Sequence, residues 1–134
     1  MRLYLQDIGR VDLLTSEEEV TLARLVQRRE ALLKQQRELS DTNPAIGELH
    51  RLEELQRREA NHHSHWPTKQ EWARAAGLTL QELQSRIDAG YEAWADKAAI
   101  DAKGLKVSLR NGRRAKDHMI QANLRLVVAV AKKY

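Results

Sequence analysis

Apolar residues in this chain recur every three or four positions, and these runs are separated by residues that start or stop helices. Leu5 and Ile8 share one side of a short helix predicted from Arg2 to Ile8, with Gly9 closing it. Leu13 and Leu14 then lead into Thr15-Ser16-Glu17-Glu18, a capping-box sequence in which Thr15 caps the helix and Glu18 reaches back to it. The helix that follows should be long. Val20, Leu22, Ala23, Leu25 and Val26 supply its apolar stripe, continued by Leu32, Leu33 and Leu39. Asp41-Thr42-Asn43-Pro44 breaks it, and Pro44 suits the first position of the next helix, where the missing N–H would lack a partner anyway. Ile46, Leu49, Leu52 and Leu55 predict that this second helix packs back antiparallel on the first.

Asn61 to Pro67 reads as a loop. Thr68 and Glu71 form a second capping box whose helix Gly77 closes, and Thr79 and Glu82 form a third, with a helix running to Gly90. A weaker helix is expected from Tyr91 to Ala102, then a turn at Lys103-Gly104, then a final long helix from about Val107 or Arg113 to the chain end. No alternating strand pattern of useful length appears, so the fold class is all-α.

The absence of cysteine excludes disulfides, thiol nucleophiles and Cys-ligated metal. The longest apolar run, Leu126 to Ala131, is far too short to span a membrane. Asp7 and Arg10 follow Met1 too closely for a signal peptide, so the expectation is a soluble, cytoplasmic protein with no membrane partner. The closing stretch from Met119 to Tyr134 is strongly apolar and has no helix-stop residue at its end, which points to a piece of a longer protein. Charge is unevenly placed. Residues 105–134 hold eight bases against the single acid Asp117, a net +7, whereas residues 1–104 carry a net −3. A basic C-terminal quarter suits a polyanion such as nucleic acid, although a solvated basic helix face has the same composition.

Candidate chemistry is sparse. His62, His63 and His65 fall in the polar loop, with no cysteine or carboxylate in close range to complete a metal shell, so no metal is expected there. Thr68 to Ile87 has the outline of a helix-turn-helix, but Lys69, Arg74 and Arg86 are balanced by Glu71, Glu82 and Asp88. A base-reading helix needs supporting positive charge, so a structural pair with Trp66, Trp72 and Trp94 as core is the favoured reading. The glycines are scattered at helix ends rather than gathered in a phosphate loop, and no enzyme or cofactor is expected. In the terminal helix Asn123 and Arg125 stand among Met119, Ala122, Leu126 and Val130. Polar groups in a helix that should be buried need partners. Asn123 matches a base edge and Arg125 a phosphate or a base face, but neighbouring helices would satisfy both equally well.

RLYLQDIGRVDLLTSEEEVTLARLVQ, from Arg2 to Gln27, closely resembles region 1.2 of bacterial housekeeping-type sigma factors, the promoter-recognition subunits of RNA polymerase. RRAKDHMIQANLRLVVAVAKKY, from Arg113 to Tyr134, resembles their region 2.1, and the Trp66-Pro67-Thr68 and Glu71-Trp72-Ala73 pieces between resemble the insert of cyanobacterial members. The resemblance implies three parts: region 1.2 helices over 1–40, a variable helical insert over 41–112, and a region 2.1 helix over 113–134. It also implies a helical bundle of the sigma domain 2 type, core RNA polymerase and promoter DNA as partners, and a regulator as a candidate partner of the insert. Carried onto matching positions, Arg2, Tyr4, Leu5 and Gln6 would lie along the single-stranded discriminator. Glu19, Asn123, Arg125 and Leu126 would help form the pocket for the flipped non-template base at promoter position minus seven. The competing expectation is a helical module that binds protein without binding DNA itself.

Overall fold

The computed structural model describes residues 13–132. Among them lie five α-helices and no strand: α1 (Ser16–Leu39), α2 (Pro44–His63), α3 (Lys69–Ala76), α4 (Leu80–Lys97) and α5 (Ala102–Ala131). The short helix expected from Arg2 to Ile8 falls outside the described residues. The chain divides into two compact units, one of residues 1–31 with 107–134 and the other of residues 32–106.

All three capping boxes form. Thr15 Oγ1 accepts from the Glu18 N–H at 3.1 Å, and the Thr15 N–H donates back to Glu18 Oε1 at 3.2 Å. Thr68 with Glu71 and Thr79 with Glu82 repeat the arrangement at the starts of α3 and α4. Each box satisfies two amide groups that a helix start otherwise leaves unbonded. The break after α1 is also as expected: Pro44 begins α2, and the Asn43 side chain accepts from the N–H groups of Ala45 and Ile46.

Four boundaries differ from expectation. The helix α2 runs through Asn61, His62 and His63, because Glu59 pairs with His63 one turn later at 3.2 Å and the left-handed Ser64 (φ 60°) supplies the stop. Gly90 ends nothing, since α4 continues to Lys97 and takes in most of the separate helix expected from Tyr91. Lys103 and Gly104 belong to the first turn of α5 rather than to a turn before it, with Asp101 Oδ1 accepting from the Gly104 N–H at 2.6 Å. The last helix therefore starts at Ala102, earlier than expected.

In the unit of residues 32–106, α2 and α4 make the most extensive helix–helix packing. Its core comprises Leu32, Ile46, Leu49, Leu52, Trp72, Leu83, Ile87, Trp94 and Leu105. Gly90 earns its place in α4 by proximity: a Cβ there would meet the Ala45 carbonyl at 3.0 Å and run into the Leu49 side chain. The Trp72 indole N–H donates to the Leu52 carbonyl at 2.8 Å, which ties α3 to α2 in the dry interior. Trp94 is wholly buried and stacks on Tyr91. Trp66, in contrast, is 58% exposed and is no part of the core, because Pro67 beside it takes the buried position.

Polar groups knit the same unit. Buried Gln36 donates from Nε2 to Glu53 Oε1 at 2.6 Å, which turns its Oε1 toward His50 Nδ1 at 3.2 Å. These bonds hold the end of α1 against α2 in the antiparallel sense the apolar stripes predict. Glu48 accepts from Arg51 at 2.6 Å and from Arg86 of α4 at 3.0 Å, and the Arg51 bond above all holds its carboxyl below the usual range.

Candidate nucleic-acid interface

The unit of residues 1–31 and 107–134 pairs the first half of α1 with most of α5. On its inner face α5 carries small and apolar residues at a seven-residue spacing. On α5 the repeat is Gly112, Ala115, Met119 and Ala122, all buried or half-buried. Small residues let two backbones approach closely, and Gly112 shows how closely here: a Cβ on it would stand 2.8 Å from the Leu25 carbonyl and collide with Arg29 Cβ. Ala115 and His118 share a shallow depression of about 200 Å³ with Leu22, Leu25, Asn111 and Arg114. Residue numbers rise along α5 as they fall along α1, so the pair is antiparallel.

Farther along, His118 lies in a depression of about 310 Å³ with Glu17, Glu18, Thr21 and Leu22. Glu18 is held ionised below the ordinary carboxylate range, first by the hydrogen bonds of the Thr15 box and in lesser part by the charge of His118. Three acids, Glu17, Glu18 and Glu19, complement the positive end of the α1 dipole. Sequence reasoning did not single out His118. Its spacing of three and four from Ala115 and Ala122 is the signal that could have found it.

The expected site residues are distributed as follows. Glu19 is exposed in the first turn of α1. Asn123 and Leu126 are exposed on α5, Leu126 by 50%, whereas Arg125 is half-buried. At about 100° per residue, Asn123 is turned some 140° from His118, while Arg125 returns to the same face two turns on. None of these four lines either depression. Arg2, Tyr4, Leu5 and Gln6 lie outside the described residues. The apolar end of α5 is solvent-facing: Ile120, Leu126, Val127 and Val130 are each about half exposed or more.

Arg110, Arg113, Arg114 and Lys116 of α5 are all exposed, and Arg114 borders the depression beside Ala115. Among the described residues no ion pair engages any of them. The histidine group differs from expectation in one respect, since carboxylates are within reach: Glu59 pairs with His63 and Glu71 with His65 at 3.5 Å. Among the described residues no group of three or more potential ligands could hold a metal ion. No helix among them is long and apolar enough to cross a membrane.

The sequence matches of this all-α chain are to the sigma-70 family. The family model for Sigma-70 factor, region 1.2, matches residues 1–32. Over its whole length the chain is 43% identical to the RNA polymerase sigma-C factor of Nostoc sp. and 40% identical to the RNA polymerase sigma factor SigA2 of Synechococcus elongatus. It is 38% identical to the probable RNA polymerase sigma-C factor of Synechocystis sp.. The chain spans about a third of these relatives, covering 32%, 29% and 33% of their respective lengths. No solved structure matches it significantly.

Proposed function

We propose that this chain supplies part of the promoter-reading surface of a transcription-initiation sigma factor, acting with core RNA polymerase in the cytoplasm and performing no catalytic step. The observation that carries this reading is the alignment of the whole chain with sigma factors, from the region 1.2 match through the terminal helix. In this reading Arg2, Tyr4, Leu5 and Gln6 follow the discriminator strand, and Glu19, Asn123, Arg125 and Leu126 receive the flipped base at minus seven. The physical chemistry is suitable. Single-stranded bases are held by polar groups at their edges and apolar surfaces on their faces, inside a positive groove. Extruding a base costs a few kcal/mol, which a preformed pocket offsets. The antiparallel pairing of α1 with α5 supports the reading, because it brings residues from both sigma-like segments into one unit.

The second reading assigns the insert to a protein partner, either polymerase or a regulator. Its supports are a core of its own and exposed Trp66 and Leu80. Fluorescence anisotropy on labelled single-stranded oligonucleotides, with and without a discriminator sequence, separates the two. Sequence preference that Asn123→Ala or Tyr4→Ala abolishes is the expected result. A wild-type chain with no preference would favour the protein-binding reading.

A further inference from the structure

The helix-turn-helix outline of Thr68 to Ile87 takes that form in the fold. Helices α3 and α4 are joined by the three-residue turn 77–79, in which Gly77 adopts the left-handed conformation (φ 70°). In DNA-binding pairs of this kind the second helix enters the major groove. Here the first turn of α3 and one exposed stripe of α4 enclose an open groove of about 910 Å³. Its chemistry decides what it can hold.

The charge is of the wrong sign for DNA. Asp88 and Glu92 of α4 line the groove, and exposed Asp96 continues their stripe one turn farther on. Carboxylates four residues apart on a helix repel one another. Lys69 alone of the lining residues is cationic, and it is occupied: it donates to Gln84 Oε1 at 2.7 Å, while Gln84 Nε2 donates to Asp88 at 2.9 Å. Arg86, the nearest cation on α4, is bonded to Glu48 of α2 at 3.0 Å and does not line the groove. An incoming phosphate would meet two carboxylates, whereas an incoming ammonium or guanidinium would relieve their repulsion. The shape suits a helix. From Leu80 to Glu92 the stripe runs about 18 Å along α4, more than three helical turns. Exposed Ser85 and Ala89 are small, so a second helix axis can approach to within about 8–10 Å. Leu80, 45% exposed, offers an apolar contact at the end away from the acids.

We infer that this groove seats a basic amphipathic helix of a protein partner, with an apolar residue over Leu80 and Lys or Arg side chains against Asp88 and Glu92. The inference rests on the protein-partner reading of the insert and deepens it by naming where the partner sits and what it carries.

The test is amide NMR of the full chain titrated with three probes: a leucine–lysine amphipathic helical peptide, its leucine–glutamate counterpart and a DNA duplex. The lysine peptide is expected to shift the signals of residues 68–70 and 80–92, and to bind less tightly as salt is raised. Two exposed ion pairs together contribute a factor of about 2–30 in affinity, so Asp88→Asn/Glu92→Gln should weaken binding by that much. Ser85→Trp fills the floor and should weaken binding even at high salt. All three positions are exposed, and circular dichroism verifies that each variant folds. A glutamate peptide that binds there as tightly overturns the inference, as does a lysine peptide that leaves the groove unshifted or binds both variants like wild type. Groove signals shifted by the duplex also overturn it and assign the face to DNA. Lysine-peptide shifts centred on Trp66, with α4 silent, overturn the groove and leave the protein-partner reading standing. Oligonucleotide anisotropy, which decides that parent reading, should be unchanged in both variants; a variant that alters it overturns the assignment of the groove to protein.

Discussion

Replacing Gly112 by alanine is the sharpest perturbation of the α1–α5 seam. The new methyl would lie 2.8 Å from the Leu25 carbonyl and overlap Arg29 Cβ. Neither obstacle is the far end of a flexible side chain, so rotation about a side-chain bond gives no relief and the two helices must separate by several tenths of an ångström or more. Overpacking of this kind costs about 1–3 kcal/mol. Alanine returns up to about 1 kcal/mol through its better helix propensity. The expected net is a loss of about 1–2 kcal/mol, localised to one unit. Urea denaturation at constant pH measures the total. Amide hydrogen exchange locates it: protection should fall in residues 16–31 and 107–131, while the helices α2, α3 and α4 keep theirs. A variant as stable as the wild type, with unchanged exchange in α1 and α5, would refute the close approach of the helices at this glycine.

Two further outcomes can be read by urea unfolding. Trp94→Ala empties a fully buried position and should cost about 3–5 kcal/mol, whereas Trp66→Ala, at an exposed one, should stay within about 0.5 kcal/mol, both by urea unfolding. The carboxylates of Glu18, Glu48 and Glu71 are held below their ordinary value of 4.5, so the unfolded chain takes up protons before the folded one does. Their contribution is complete above that value and is lost as pH falls from it through the lowered values of the folded chain. The urea midpoint should therefore drop between pH 5 and 3, and less steeply in Glu48→Gln; an identical pH profile in that variant would contradict the assignment.

Local chemistry was the legible part of this fold. Thr15, Thr68, Thr79 and Asn43 each mark a helix start through a bond to an amide two or three residues away, and such bonds need nothing beyond their own segment. Stops set by tertiary packing were not legible. Gly90 and Gly104 resemble helix breakers in sequence, yet Gly90 is there to admit α2 and Gly104 sits under the Asp101 cap. Trp66 and Trp94 look alike in composition, and only the position of Pro67 against the core decides which indole is buried. The candidate site was legible chiefly through resemblance. Periodicity marked α5 as a packing helix, but His118 entered the seam unannounced because histidine is not counted among core residues. The four cations from Arg110 to Lys116 were visible as a charge total, whereas their lack of partners needed the positions of every carboxylate around them.

The nearness of Arg29 to Gly112 has a consequence for how such chains diversify. The two places where the polypeptide leaves and re-enters this helical pair are neighbours, so whatever is threaded between them closes a loop whose ends are already together. Closure entropy grows only logarithmically, by about 0.6 kcal/mol for each doubling of length. Evolution can thus trim, extend or replace the intervening hairpins while the paired stem keeps its register, much as a handle accepts different tools.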